Sequence, residues 1–176
     1  MIHIEIMRAN KFLRIILILF ILALNIGCDQ VSKSFIRHKM EIYDEYTFLH
    51  RHITIRRVEN IGAFLSLGDS LSRPLKIILL DILPLIAITF GLAFILIKTN
   101  LNRISLAAII LIIGGGAGNL YDRMVHGSVT DFMHINFVLF QTGVFNVADM
   151  SITTGALIIL IHSFFKKKTE VEGNQI

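Results

Sequence analysis

The chain has 176 residues, of which 54% are hydrophobic and only 17% charged, with a mean hydropathy of +0.69. Soluble domains carry nearer a quarter charged residues, so this balance excludes an ordinary soluble domain and leaves a membrane protein. The net charge of +4 is carried by basic residues that are scattered or flank apolar runs, which suits lipid headgroups rather than nucleic acid, and the single Cys28 excludes an internal disulfide or a multi-cysteine zinc site.

In chain order, four stretches can cross hydrocarbon as helices, which takes roughly 20 residues for about 30 Å. The first runs from about Phe12 to Cys28, behind Arg8, Lys11 and Arg14; Met7 opens a Met-Arg-Ala-Asn-Lys stretch typical of a membrane-protein start. Segment 46–67 follows, where Tyr46, Phe48, Ile53, Ile55 and Val58 partly alternate and predict a small extramembrane sheet at the membrane surface. The second span covers about 75–97 and is opened by Pro74, a residue favoured in a first helical turn. The third covers about 104–120 and the fourth about 144–165, stopped by Lys166, Lys167 and Lys168. Residues 1–168 read as a single four-span domain, and the short polar tail 169–176 is expected to be disordered. Four spans put both termini on one side. The basic termini and the Lys98–Arg103 turn favour the cytoplasm for that side.

Four aspartates sit at or beyond the ends of these runs. Asp29 ends span one, Asp122 ends span three, Asp131 lies in the loop after it, and Asp149 begins span four. Antiparallel neighbours bring all four into one leaflet, with Asp149 about 7–8 Å inside its helix at 1.5 Å per residue. An ionised aspartate in lipid costs about 2.5–3.5 kcal/mol on insertion scales, so such residues read first as a functional site. A carboxylate near a helix end also serves as a headgroup-level residue paired with a base. Asp122 beside Arg123 and Asp29 near Lys33 fit that structural role, whereas Asp131 and Asp149 have no adjacent base. Two carboxylates held close in a low dielectric share one proton, so that one acts as base while the other donates, as in aspartic proteases.

Asn60, Asn119 and Asn146 lie beside small residues and could hydrogen-bond an extended peptide or fix a carboxylate; Gly114, Gly115, Gly116 and Gly118 could be close helix packing or room for a ligand. Other schemes lack their residues. His50 and His52 alternate without a His-Glu-x-x-His helix, and no Gly-x-Ser-x-Gly or phosphate-loop element occurs. Asn25-Ile-Gly-Cys28 resembles a lipoprotein export signal, but three further spans follow it.

Taken together, Asp29-Gln-Val-Ser-Lys33, Glu59-Asn-Ile-Gly-Ala-Phe64, Gly118-Asn-Leu-Tyr-Asp-Arg123, Gly127-Ser-Val-Thr-Asp-Phe132 and Phe145-Asn-Val-Ala-Asp149 resemble bacterial lipoprotein signal peptidases, in family order over about residues 11–165. The resemblance implies a cofactor-free, metal-free aspartic endopeptidase of the bacterial inner membrane, with its site toward the outer leaflet. It would act as a monomer in membrane lipid on prolipoproteins, cutting before a diacylglyceryl-modified cysteine. The family's catalytic pair falls on Asp131 and Asp149. Asp29, Lys33, Asn60, Gly62, Asn119, Asp122, Arg123, Asn146 and Ala148 match positions that bind substrate or brace the site. Phe64 directly after Ala63, Thr130 in place of a common valine, and Gly143 in place of a frequent proline depart from the family pattern. Two other readings use the same carboxylates differently. A small proton-coupled transporter or channel subunit is disfavoured by the lack of an internal repeat, and a non-catalytic scaffold would tolerate their loss.

Overall fold

The structure, a computed structural model, describes residues 2–62, 71–137 and 140–173, with side chains over 11–62, 71–137 and 140–165. Ala63, Phe64 and the rest of the expected β-type segment to 67 lie outside the described residues, as do positions 174–176 of the tail. Helix α1 spans Ile2–Lys39, α2 Arg73–Ile97, α3 Arg103–His126 and α4 Val147–Gly173. All four are long and apolar enough to cross a membrane.

Two helices outrun their apolar stretches. The first continues past Cys28 to Lys39 and the third past Leu120 to His126, so Asp29, Lys33 and Asp122 are interior helical residues rather than helix ends. Their polar side chains find partners on other elements instead of water. Helix α4 likewise continues through Lys166–Lys168 to Gly173, where a disordered tail was expected.

Local chemistry explains the boundaries. Asn102 caps α3 by accepting from the Ile104 N–H at 2.8 Å, and Gly127 ends it with φ +79°, a left-handed value that glycine adopts without a Cβ clash. In α2, residues Ile77–Ile82 form a π-helical turn just before Pro84. Proline has no N–H to return to the carbonyl four residues earlier, and a widened turn accommodates that loss. Arg14 of α1 donates Nη2 to the carbonyls of Ile95 and Lys98, both at 2.9 Å, satisfying the C-terminal end of α2.

Strands β1 (Glu45–Phe48), β2 (Ile53–Asn60), β3 (Val129–Phe137) and β4 (Phe140–Gln141) form an antiparallel sheet in the order β1-β2-β3-β4. The strand containing Asp131 corrects the loop expected between spans three and four. Register runs Val58↔Asp131, Glu59↔Thr130 and Asn60↔Val129, after a bulge between Ile55 and Val58. Asn60 and Asp131 are therefore diagonal neighbours on one face. One apolar core (Ile18, Leu22, Ile95, Ile110, Ile113) joins α1, α2 and α3; another (Ile36, Met40, Phe132) seats the sheet on the upper part of α1.

Candidate active site

Phe145-Asn-Val-Ala-Asp149 folds as a capping box. Asn146 precedes α4 and its Oδ1 accepts from the Asp149 N–H at 2.9 Å, while Asp149 Oδ2 accepts from the Asn146 N–H at 3.2 Å. The motif therefore starts the helix and fixes the Asp149 carboxylate in the same step. Asp149 Oδ1 accepts from Asn119 Nδ2 at 2.8 Å. Because Asn146 Oδ1 is used in the cap, its Nδ2 faces outward, donating to Asp131 Oδ1 at 2.6 Å and to Asn119 Oδ1 at 3.1 Å.

Asp131, 3% exposed, completes the cluster from β3, with Oδ2 accepting from Asn60 Nδ2 at 2.9 Å. Asn60 Oδ1 in turn accepts from the Gly62 N–H at 2.9 Å, which sets the direction of its amide. Burial pushes the Asp131 carboxyl up to about 6. The Asn60 hydrogen bond opposes the rise, and the Asp149 charge adds to it. All three asparagines thus hold carboxylates, and two of them join the aspartates to each other through side-chain amides.

Behind this pair lies a buried ionic cluster. Lys33, with no exposed surface, meets Asp29 Oδ2 at 2.8 Å and Asp122 Oδ2 at 3.0 Å and donates to Asn119 Oδ1 at 2.8 Å. Asp29 Oδ1 accepts from the Ala148 N–H at 2.9 Å, an otherwise unpaired donor of the first turn of α4. Asp122 faces Lys33 and Arg37 rather than the adjacent Arg123. Arg123 instead donates to the Gly62 carbonyl at 2.7 Å, joining α3 to the end of β2.

The expected site residues therefore fall into a connected cluster around Asp131 and Asp149, with Gly62 and Ala148 contributing backbone. A further layer of Arg37, Arg57, Glu59 and Thr130 lies outside the expected site residues, although Glu59 and Thr130 fall within the matched motifs. Arg37 donates to Thr130 Oγ1 at 3.0 Å, Thr130 to Glu59 at 3.2 Å, and Arg57 Nε to Glu59 at 2.9 Å. Thr130, the departure from the family's valine, uses its hydroxyl in both directions. The opposite charges of Arg57 and Glu59, two residues apart on one strand face, were the available signal.

Asn60, Asn119, Arg123, Asp131 and Asp149 form the polar end of a cavity of about 760 Å³. Leu79, Leu80 and Pro84 of α2 and Ile152, Leu157 and Leu160 of α4 form its apolar remainder, and Gly116 leaves space on its α3 side. Gly115 and Gly118 are packing positions: a Cβ on Gly115 would run into the Ala148 carbonyl, and one on Gly118 would lie 2.5 Å from Asp29 Oδ2. A polar end joined to a larger apolar lining suits an extended backbone continued by an apolar segment. Among the described residues no group of three or more His, Cys, Asp or Glu side chains is arranged to hold a metal ion.

Comparison with known proteins points one way. The family profile described as signal peptidase (SPase) II matches residues 21–165. A lipoprotein signal peptidase of Borrelia hermsii is 31% identical over 93% of this chain and 96% of its own length. One of Solibacter usitatus is 34% identical over 79% of this chain and 85% of its own length. A bacterial membrane enzyme solved by the in meso method superposes with a TM-score of 0.76 at 28% identity, over 86% of this chain and 90% of that one.

Proposed function

Because the chain belongs to the signal peptidase II family and is a multi-pass membrane peptidase, we propose that it cleaves bacterial prolipoproteins before their diacylglyceryl-modified cysteine, with Asp131 and Asp149 as the catalytic pair. The observation that carries the assignment is the Asn146 side chain, which bridges the two aspartates by capping one and donating to the other.

In the mechanism, the pair holds one proton. Water between the carboxylates loses a proton to the ionised partner as its oxygen attacks the scissile carbonyl. The protonated partner gives its proton to the carbonyl oxygen, and a tetrahedral gem-diol forms. As it collapses, a diol hydroxyl returns a proton to the ionised carboxylate, and the C–N bond breaks while the protonated carboxyl delivers its proton to the departing amine. The pair returns to its starting state with one proton. Asn60 and Asn119 hold the carboxylates without competing for that proton, since their amides only donate to them. The signal helix occupies the apolar trough between α2 and α4, and the lipid chains remain in the bilayer. In this reading the protein acts alone in the bacterial inner membrane, with its termini cytoplasmic and the aspartates toward the outer leaflet.

The test is cleavage of a diacylglyceryl-modified prolipoprotein by purified wild-type protein, Asp131→Asn and Asp149→Asn, with chelator present throughout. Wild-type cleavage before the lipidated cysteine should persist in chelator and fall by at least about 10³-fold in each variant, the scale of losing a positioned acid–base group. Near-normal cleavage by either folded variant would sink the assignment.

A further inference from the structure

The end of the sheet remote from Asp131 along the strands carries an unexplained apolar surface. Register puts the β1–β2 and β3–β4 hairpin tips at the same end, since Ile53 pairs with both Phe48 and Ile135. There Phe48 is 53% exposed, Leu49 67%, Phe137 52% and Phe140 63%. The His52 ring stacks on Phe137 with centroids 4.9 Å apart, and its Nδ1 lies 2.8 Å from the Asn136 carbonyl oxygen, tying the hairpins together. Leu49, His50 and Arg51 have φ of 50°, 55° and 70°. L-residues adopt this left-handed conformation at a cost, so the turn is held there by its surroundings.

The depth of this end follows from its neighbours. Phe140 shares a cavity of about 370 Å³ with Asp149 and, beyond it, with Met150, Thr153 and Thr154. Those three belong to the first turns of the span Val147–Phe165. The β3–β4 tip therefore stands beside a membrane span, where an apolar side chain meets lipid instead of water. Arg51 on the adjoining turn supplies a positive charge that complements anionic headgroups, with the polar ring of His50 beside it in the turn.

We propose that the joined hairpin tips insert Phe48, Leu49, Phe137 and Phe140 into the bilayer leaflet that borders the aspartate cavity, with His50 and Arg51 at headgroup level. The occupant is the lipid bilayer itself. The contact holds the sheet, and with it Asn60 and Asp131, at a set height over the trough. It depends on the chain spanning a membrane and not on its being a peptidase.

The chain has no tryptophan, so a single substitution gives an unambiguous probe. Leu49→Trp and Phe137→Trp, with Phe48→Trp in reserve should either fail to fold, are reconstituted without substrate into phosphatidylcholine–phosphatidylglycerol vesicles. Part of the lipid is brominated high on the acyl chains. Insertion predicts blue-shifted emission that loses most of its intensity to brominated lipid and little to aqueous acrylamide. Red-shifted emission quenched by acrylamide and untouched by brominated lipid would overturn the proposal. A blue shift that appears only when a diacylglyceryl peptide is added, without quenching by brominated bilayer lipid, would overturn it in favour of the substrate's lipid. A blue shift that appears only at high protein density would overturn it in favour of a second copy of the chain.

Discussion

At Lys33 a cation with no exposed surface meets Asp29 and Asp122 at 2.8 and 3.0 Å and also donates to Asn119 Oδ1. That last bond has a catalytic consequence. With Oδ1 taken by Lys33 and Asn146, the Asn119 amide can offer only Nδ2 to Asp149. Lys33→Met leaves two buried carboxylates without their shared cation, and removing one partner of such a pair costs about 3–5 kcal/mol. The variant should melt well below wild type in detergent. Adding Asp29→Asn and Asp122→Asn should restore much of the melting temperature but not cleavage, because the Asn119 amide stays unfixed. Asp131 supports a separate expectation. Its carboxyl titrates near 6 in the fold, above the ordinary value of 3.8, chiefly through burial. A raised value means its contribution to stability is whole below about 4 and is lost as pH rises through 6. The loss amounts to about 3 kcal/mol at 1.4 kcal/mol per unit. Wild-type melting should fall between pH 4 and pH 8, and Asp131→Asn should flatten that part of the profile. The alkaline limb of kcat/KM should also appear near 6, since that ratio reports the free enzyme. Asp131 and Asp149 could be singled out in the sequence because neither has a neighbouring base. Lys33 was expected near Asp29 and among the bracing positions, but its contacts to Asp122 and Asn119 and its complete enclosure come only with the fold.

Packing of whole elements is decided by glycines that look equivalent in the sequence. Gly115 faces the Ala148 carbonyl and Ile152 of α4, whereas Gly116 meets only the far end of Ile88 at 3.3 Å, beside the cavity. Gly115→Ala must push α4 away and take Asp149 with it. A displacement of about 1 Å at a reacting group costs on the order of 10²-fold in rate. Gly116→Ala should leave kcat close to wild type and act mainly on KM, through lost space in the trough. Measuring kcat and KM for both separates the roles, and equal effects would refute the distinction. Hydropathy located four spans because each is a continuous apolar run. It stopped α1 at Cys28 because polarity alone does not tell a residue bathed in water from one paired inside. Asp29, Gln30 and Lys33 belong to the second kind, bonded to α3 and α4. Strand β3 escaped notice for a related reason. In Val129–Phe137 its two faces are buried against different partners, so the period-two alternation of a half-exposed strand is blurred, and its hydrogen bonds come from β2, distant in sequence.

Over the whole molecule, α1, α3 and α4 bring Asp29, Asp122 and Asp149 to one end, where strand β3 adds Asp131. The opposite end carries the Lys98–Arg103 connection, pinned by Arg14, and the basic residues at both ends of the chain. That separation serves the proposed chemistry. Water and a lipidated peptide can meet only where a span borders the surface, and a carboxyl pair can share a proton only where water is scarce. Basic segments are retained on the cytoplasmic side, so the aspartate end should face outward. Cys28, exposed on α1, is the sole cysteine, and Cys28→Ser gives a background free of thiols. In that background Tyr43→Cys, at a position 97% exposed between α1 and β1, should react with a membrane-impermeant maleimide added to intact cells stripped of their outer barrier. Asn100→Cys, in the exposed turn between α2 and α3, should react only after the membrane is opened. The reverse pattern would place the aspartates on the cytoplasmic face, where exported prolipoproteins could not reach them in the proposed way, and labelling of both from outside would contradict a four-span arrangement altogether.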